Sequence, residues 1–407
     1  MFSLLSVSVT FESALAREDE DGTNETLKKT KKKKRRSVRK LEFSPYGEVF
    51  YGKESNVFKS PDSIVNHPIY GTHTDIVKDD SFVETAVGLD VKGRLRKNKE
   101  LTFEYNYEET KYAKYSILDE ISTDIGFDYL QRMSKRSKIK LKTGYKQSDK
   151  ISVDVFGLEY PYKISYESLT LNPILYHKYR PGIFGKHSGN TLMKLSYEMK
   201  SKNYAEPLPP NLSYDYVQDK ITLDVTQEID KTLDIKLGFD WRSRIYQVYL
   251  AKNRDGQANT DMITRNQNYF TLNAGFEKTY KNKSGFEFEY RYKTRDDLYQ
   301  DYYSYTSNVL KGNAKYYLSP ATSIQADFEY ESRKYDIPAL SSTGDISNPV
   351  QEYYDVFVGV FGDITSSTEI SLKFVLDSRE TNTDIEEKST KRMYRDKILI
   401  AGIKIYL

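Results

Sequence analysis

A two-residue alternation of apolar and polar side chains recurs from about residue 41 to the last residue, and it limits this chain to a narrow set of folds. Successive side chains of a strand point to opposite faces, so each such segment has one apolar and one polar face. In the final eleven residues, Lys397 to Leu407, apolar Leu399, Ala401, Ile403, Ile405 and Leu407 share a face. In 101–108, Leu101, Phe103, Tyr105 and Tyr107 oppose Thr102, Glu104, Asn106 and Glu108. In 233–241, Leu233, Ile235, Leu237, Phe239 and Trp241 oppose Asp234, Lys236, Gly238 and Asp240. In 286–293, Phe286, Phe288, Tyr290 and Tyr292 oppose Glu287, Glu289, Arg291 and Lys293. Ile324, Ala326, Phe328 and Tyr330 likewise oppose Gln325, Asp327 and Glu329, and Ile370, Leu372, Phe374 and Leu376 oppose Ser371, Lys373 and Asp377.

Composition says what the apolar faces meet. With 30% charged residues and a mean hydropathy of −0.70, no apolar run beyond the extreme N-terminus reaches the roughly 20 residues of a membrane helix. Yet there are 36 Tyr and 19 Phe against one Trp, placed opposite Glu, Lys, Arg and Asp in segment after segment. In a transmembrane barrel the apolar face meets lipid, the polar face meets the lumen, and Tyr gathers at both interfaces. The absence of Cys excludes disulfides, thiolate metal sites and cysteine nucleophiles. A net charge of +3 gives the whole chain no strong field for nucleic acid, and no specific nucleic-acid partner is expected.

Three regions follow. Residues 1–16, ending Ala14-Leu15-Ala16, read as a secretory signal peptide with an A-x-A cleavage site, although no basic n-region precedes the apolar stretch. Residues 17–40 carry the like-charge block from Lys28 to Lys40, which cannot fold on itself; it reads as a disordered periplasmic arm, with an anionic partner as the functional alternative. From 41 to 407 the alternating segments are joined by connections that are in turn short (96–99, 133–136, 230–232, 281–284, 319–322, 365–368) and long (52–79, 201–213, 252–264, 336–350, 381–391). Counting strands backward from Leu407 gives about 16, with 14 or 18 as the even-numbered alternatives. The stretch 151–180, interrupted by Pro161 and Pro173, is read as one strand because Pro suits only strand ends, edges or bulges.

Alternation, sorted loops and a terminal strand ending at Leu407 together resemble the porin-like class of bacterial outer-membrane β-barrels; the usual terminal Phe or Trp is Leu here. The resemblance implies an all-β, transmembrane, antiparallel up-and-down barrel in the cell outer membrane. Membrane lipid and lipopolysaccharide would surround it. It also implies that Leu399, Ala401, Ile403, Ile405 and Leu407 form a signal read by the barrel assembly machinery.

The polar set would then line a charged, wet lumen. Its candidates are Lys138, Lys140, Lys142, Asp234, Lys236, Asp240, Glu287, Glu289, Arg291, Asp327, Glu329 and Lys373. Charged ladders of this kind line diffusion pores and tune their selectivity, which points to a channel for small hydrophilic solutes. The competing reading is salt-bridged filling of a non-conducting surface barrel that serves adhesion, envelope anchoring or assembly.

Catalytic and metal chemistry find little support. His67, His73 and Asp75 fall within nine residues of a long loop, a weak metal candidate that matches no strong motif. An outer-membrane hydrolase would need a Ser and a His meeting on the barrel wall, and His177 and His187 instead flank a presumed turn at Pro181. No phosphate or calcium motif appears, so neither an enzyme nor a cofactor is expected. The cluster Tyr299 to Tyr305 reads as an aromatic loop tip.

Overall fold

A computed structural model describes residues 41–57, 65–67, 71–73, 78–154, 157–180, 189–205, 215–251, 263–280, 283–336, 339–340, 346–381 and 394–407. The proposed signal peptide 1–16 and basic arm 17–40 lie outside them. Sixteen strands close into one antiparallel barrel in which each strand pairs with its sequence neighbours and the last pairs with the first. The barrel strands are β1 (Leu41–Glu54), β2 (Asp80–Arg96), β3 (Lys99–Tyr112), β4 (Glu120–Arg132), β5 (Ser137–Asp149), β6 (Tyr166–Tyr179), β7 (Thr191–Tyr204) and β8 (Tyr216–Glu228). They continue as β9 (Leu233–Leu250), β10 (Thr264–Thr279), β11 (Gly285–Asp297), β12 (Tyr305–Ser319), β13 (Thr322–Tyr335), β14 (Val350–Thr365), β15 (Thr368–Thr381) and β16 (Tyr394–Tyr406).

Connections sort by end, as expected from the sequence. One end carries the tight turns at 97–98, 133–136, 229–232, 320–321 and 366–367, while the other carries the loops at 55–79, 150–165, 251–263, 336–349 and 382–393. The exception is 180–190, a longer connection at the short-turn end. The Pro-interrupted stretch resolves into a small hairpin, Ile151–Asp154 with Gly157–Lys163, followed by barrel strand β6. Pro173 sits inside β6 and keeps its register with β5, but the pairing with β7 lapses at Asn172 and Pro173, where the missing N–H cannot donate.

The faces divide as the alternation demands. On β16, Leu399, Ile403 and Ile405 are 53%, 45% and 43% exposed on the outer face, whereas inward Ile398 and Ile400 are buried. Those inward isoleucines correct the expectation of a lumen that is polar throughout: Phe50, Phe82, Ile398 and Ile400 form a luminal apolar cluster on β1, β2 and β16, flanked by Tyr112 and Val375. Glycines make it possible. Phe50 lies opposite Gly402 and Phe82 opposite Gly52, and a Cβ at either glycine would overlap the ring. Burying one such ring stabilises by about 1.5–3 kcal/mol.

The cluster backs the seam where the barrel closes. Only nine residue pairs join β1 to β16, against fourteen joining β1 to β2. The seam is pinned by a Glu48–Lys404 ion pair on the luminal side. At the long-loop end, fully buried Asp396 accepts the Asn56 backbone N–H at 3.0 Å, and Ser55 N donates to the Lys397 carbonyl at 3.0 Å.

Candidate functional site

The barrel interior gathers the candidate residues on inward faces of neighbouring strands. Across β4 and β5, Lys140 pairs with Asp128 at 2.6 Å and Lys146 with Asp124 at 2.9 Å, while Lys138 lies over the Tyr176 ring at 4.3 Å. Lys142 shares that face, opposite Asp128 in register. Across β9 to β11, Lys236 bridges Glu277 at 2.9 Å and Glu287 at 2.7 Å. Asp234 stands opposite Glu277, and Asp240 pairs with Lys220 at 2.6 Å. Glu289 accepts from Arg291 at 2.5 Å and from Asn273 at 2.8 Å. Across β12 and β13, Glu329 pairs with Lys311, and Asp327 accepts from Asn313 and, at 2.9 Å, from Gln325. Lys373 lies 4.2 Å from the centre of the Phe50 ring, at the edge of the apolar cluster.

The consequence is electrostatic. Glu277, Glu287, Glu289, Glu329 and Glu331 of β10, β11 and β13 each pair with a base, so much of their field cancels locally. Carboxylates on the opposite wall are less matched. Asp90, Glu104, Lys200 and the Asp124–Lys146 pair line a cavity of about 400 Å3 together with Ser168 and Thr170. Such a space has both donors and acceptors in its lining and suits small polar solutes.

Nearer the long-loop end the lining changes character, in a way the sequence reading missed. Arginines alternate with tyrosines from strand to strand: Arg244 stacks on Tyr216 with 4.4 Å to the ring centre, Arg265 on Tyr303 at 3.6 Å, Arg295 on Tyr305 at 4.3 Å and Arg333 on Tyr305 at 4.5 Å. Arg379 continues the girdle over Tyr353 at 4.8 Å. The signal was present, because Arg242 and Arg244 extend the inward set of Asp234, Lys236 and Asp240, and Arg295 extends that of Glu287, Glu289 and Arg291.

The loop candidates stand apart from this interior. The backbone of Val65–His67 pairs with Gly71–His73, setting His67 opposite Gly71 and His73 opposite Val65; Asp75 and His187 lie outside the described residues. His177 lies within β6, where its Nδ1 is 2.9 Å from Ser137 Oγ, a Ser–His contact on the outer wall that spacing along the chain did not reveal. Residues 298–304 form a tight loop with left-handed Gln300 and Asp301, and it turns Tyr303 back onto Arg265. Tyr302 to Ser304 belong to this loop, and β12 begins at Tyr305.

No protein-family model matches the chain, and no curated protein matches it in sequence. Among solved structures it is similar to OccAB4 of Acinetobacter baumannii, at 10% identity and a TM-score of 0.49, covering 91% of this chain and 99% of that one. It is also similar to a loop L8 deletion mutant of OmpT, an outer membrane protein of Vibrio cholerae, at 12% identity and a TM-score of 0.46 over 91% and 100% of the two chains. An anion-selective porin from Comamonas acidovorans shares 7% identity and a TM-score of 0.42 over 90% and 100%. At such identities the likeness concerns the fold. The deciding observation is the closed sixteen-strand antiparallel barrel with apolar residues outward and charged residues inward. This is the fold of a bacterial outer-membrane β-barrel.

Proposed function

We propose that the protein is a porin-like channel of the outer membrane that passes small hydrophilic solutes, with its long loops extracellular and its short turns periplasmic. The observation that carries the reading is a barrel of sixteen strands whose inward face is polar on nearly every strand and encloses a cavity of about 400 Å3. Barrels of 16 to 18 strands are generally wide enough for an aqueous channel. Insertion of the refolded protein into planar bilayers tests this: discrete conductance steps support it, and folded protein that yields none contradicts it.

One observation favours a second reading, a non-conducting surface barrel for adhesion, anchoring or assembly. Inward Phe82, Gln267 and Val309, all toward the long-loop end, are fully buried, so part of the interior there is filled. A silent bilayer with correctly folded protein moves the assignment to that reading.

A further inference from the structure

Within the luminal girdle, β9 and β11 carry arginines whose hydrogen-bonding partners are neutral. Arg244 donates to Gln218 Oε1 at 2.9 Å and to Tyr246 Oη at 3.4 Å. Arg295 Nε donates to the Tyr303 carbonyl at 2.6 Å. With its amide oriented to satisfy both neighbours, Gln267 accepts from Arg265 Nε at 2.7 Å and Nη2 at 2.6 Å and donates to Tyr269 Oη at 2.8 Å. Arg242 packs 5.3 Å from the centre of the Tyr269 ring, and its buried Nε has no hydrogen-bond partner. Among the described residues no carboxylate lies within ion-pair reach of Arg242, Arg244 or Arg295. Of the nearby acids, Asp240 pairs with Lys220 and Glu331 with Arg333 and Lys293, while Asp297 accepts the Tyr303 backbone N–H through one oxygen and leaves its buried Oδ1 without a hydrogen-bond partner.

This contrasts with Lys220, Lys236 and Lys311 farther down the same wall, each paired with an acid. A guanidinium held by an amide, a hydroxyl or a carbonyl keeps its full charge, and stacking on tyrosine rings fixes its plane without covering its donating edge. Arg242, Tyr269 and Arg295 are in register across three strands, so at about 4.8 Å per strand the two guanidinium-bearing positions stand roughly 10 Å apart. Arg244 lies two residues from Arg242 on the same face. Like charges gathered this closely repel in the empty site, and a ligand carrying several oxyanion groups relieves that repulsion while offering each fork the acceptor geometry it fits.

We propose that Arg242, Arg244 and Arg295 form a binding site for multivalent oxyanions, solutes that carry two or more carboxylate or phosphate groups. The proposal deepens the channel reading by naming the solute class, yet binding can be measured whether or not the barrel conducts.

The test is calorimetric titration of the refolded full-length barrel in detergent with citrate, pyrophosphate and, as the monovalent reference, acetate, at low ionic strength. Citrate or pyrophosphate should bind measurably and acetate far more weakly; whichever of the two binds tighter assigns carboxylate or phosphate as the preferred group. Each of Arg244→Gln and Arg295→Gln should weaken the favoured ligand by about tenfold, and added salt should weaken it further. Lys92→Gln, on the opposite wall and paired with Glu100, should leave it nearly unchanged. Because Arg242 has a ring contact and no hydrogen bond to lose, Arg242→Gln serves if the other variants do not fold, and the same weakening is expected. Polyanion binding equal in wild type and arginine variants, or no tighter than acetate, overturns the proposal. Conductance without polyanion binding would leave the channel reading standing and remove this one; binding without conductance would do the reverse.

Discussion

Lys236 is the residue on which the luminal charge arrangement depends most visibly, because a single ammonium serves two carboxylates from different strands. Lys236→Met would leave Glu277 and Glu287 facing each other across β10 and β11, where they are directly opposite in register. Breaking a fully buried pair costs about 3–5 kcal/mol, and with the Lys236 side chain 31% exposed we expect about 1–2 kcal/mol, read as a lower unfolding temperature. At the short-turn end, Asp230 is held below the ordinary carboxylate range by the Thr232 hydroxyl at 2.7 Å and the Thr232 backbone N–H at 2.6 Å. A depressed carboxyl contributes stability above its unfolded value and loses it as pH falls through the folded one. The difference in unfolding temperature between wild type and Asp230→Ala should therefore be largest near neutrality and vanish at low pH; a difference independent of pH would contradict the turn assignment.

At the scale of elements, the closing strand carries two separable demands. Its outward residues must face lipid, so Ile403→Asp with Ile405→Asp places two charges in the apolar band and should sharply reduce folded, membrane-inserted protein, measured by fractionation and heat-modifiable gel migration. Its end must also seal the seam. Asp396→Ala leaves the Asn56 N–H without its acceptor, at a cost of about 1–3 kcal/mol, and unfolding should begin at lower denaturant without a change in strand content. Strand positions were legible in the sequence because each carries a period-two pattern long enough to read, and even β6 was placed despite Pro173. What could not be read was set by neighbours across the sheet. Ile398 and Ile400 face inward because Phe50 and Phe82 lie over glycines on adjacent strands, a relation visible only once register is known. The Ser137–His177 contact likewise joins residues 40 positions apart.

For the whole molecule, the sequence separates a polar from an apolar set on each strand but does not show how the charges of the polar set are distributed. Pairing is a property of register: Lys236 meets Glu277 and Glu287 because of how β9, β10 and β11 align, while Arg244, eight residues beyond Lys236 on the same face of the same strand, meets a glutamine. The interior therefore divides into a self-neutralised wall and an arginine-rich zone toward the long loops, although composition alone gives a net charge of only +3. The central claim is that β-strand alternation separates lipid from water on every strand. Since the chain has no native cysteine, single cysteines can be placed at each position from 287 to 293 and reacted in proteoliposomes with a charged, membrane-impermeant maleimide. Positions 287, 289, 291 and 293 should label and positions 288, 290 and 292 should stay unlabelled; equal labelling of both sets, or labelling of the second set alone, would contradict the account.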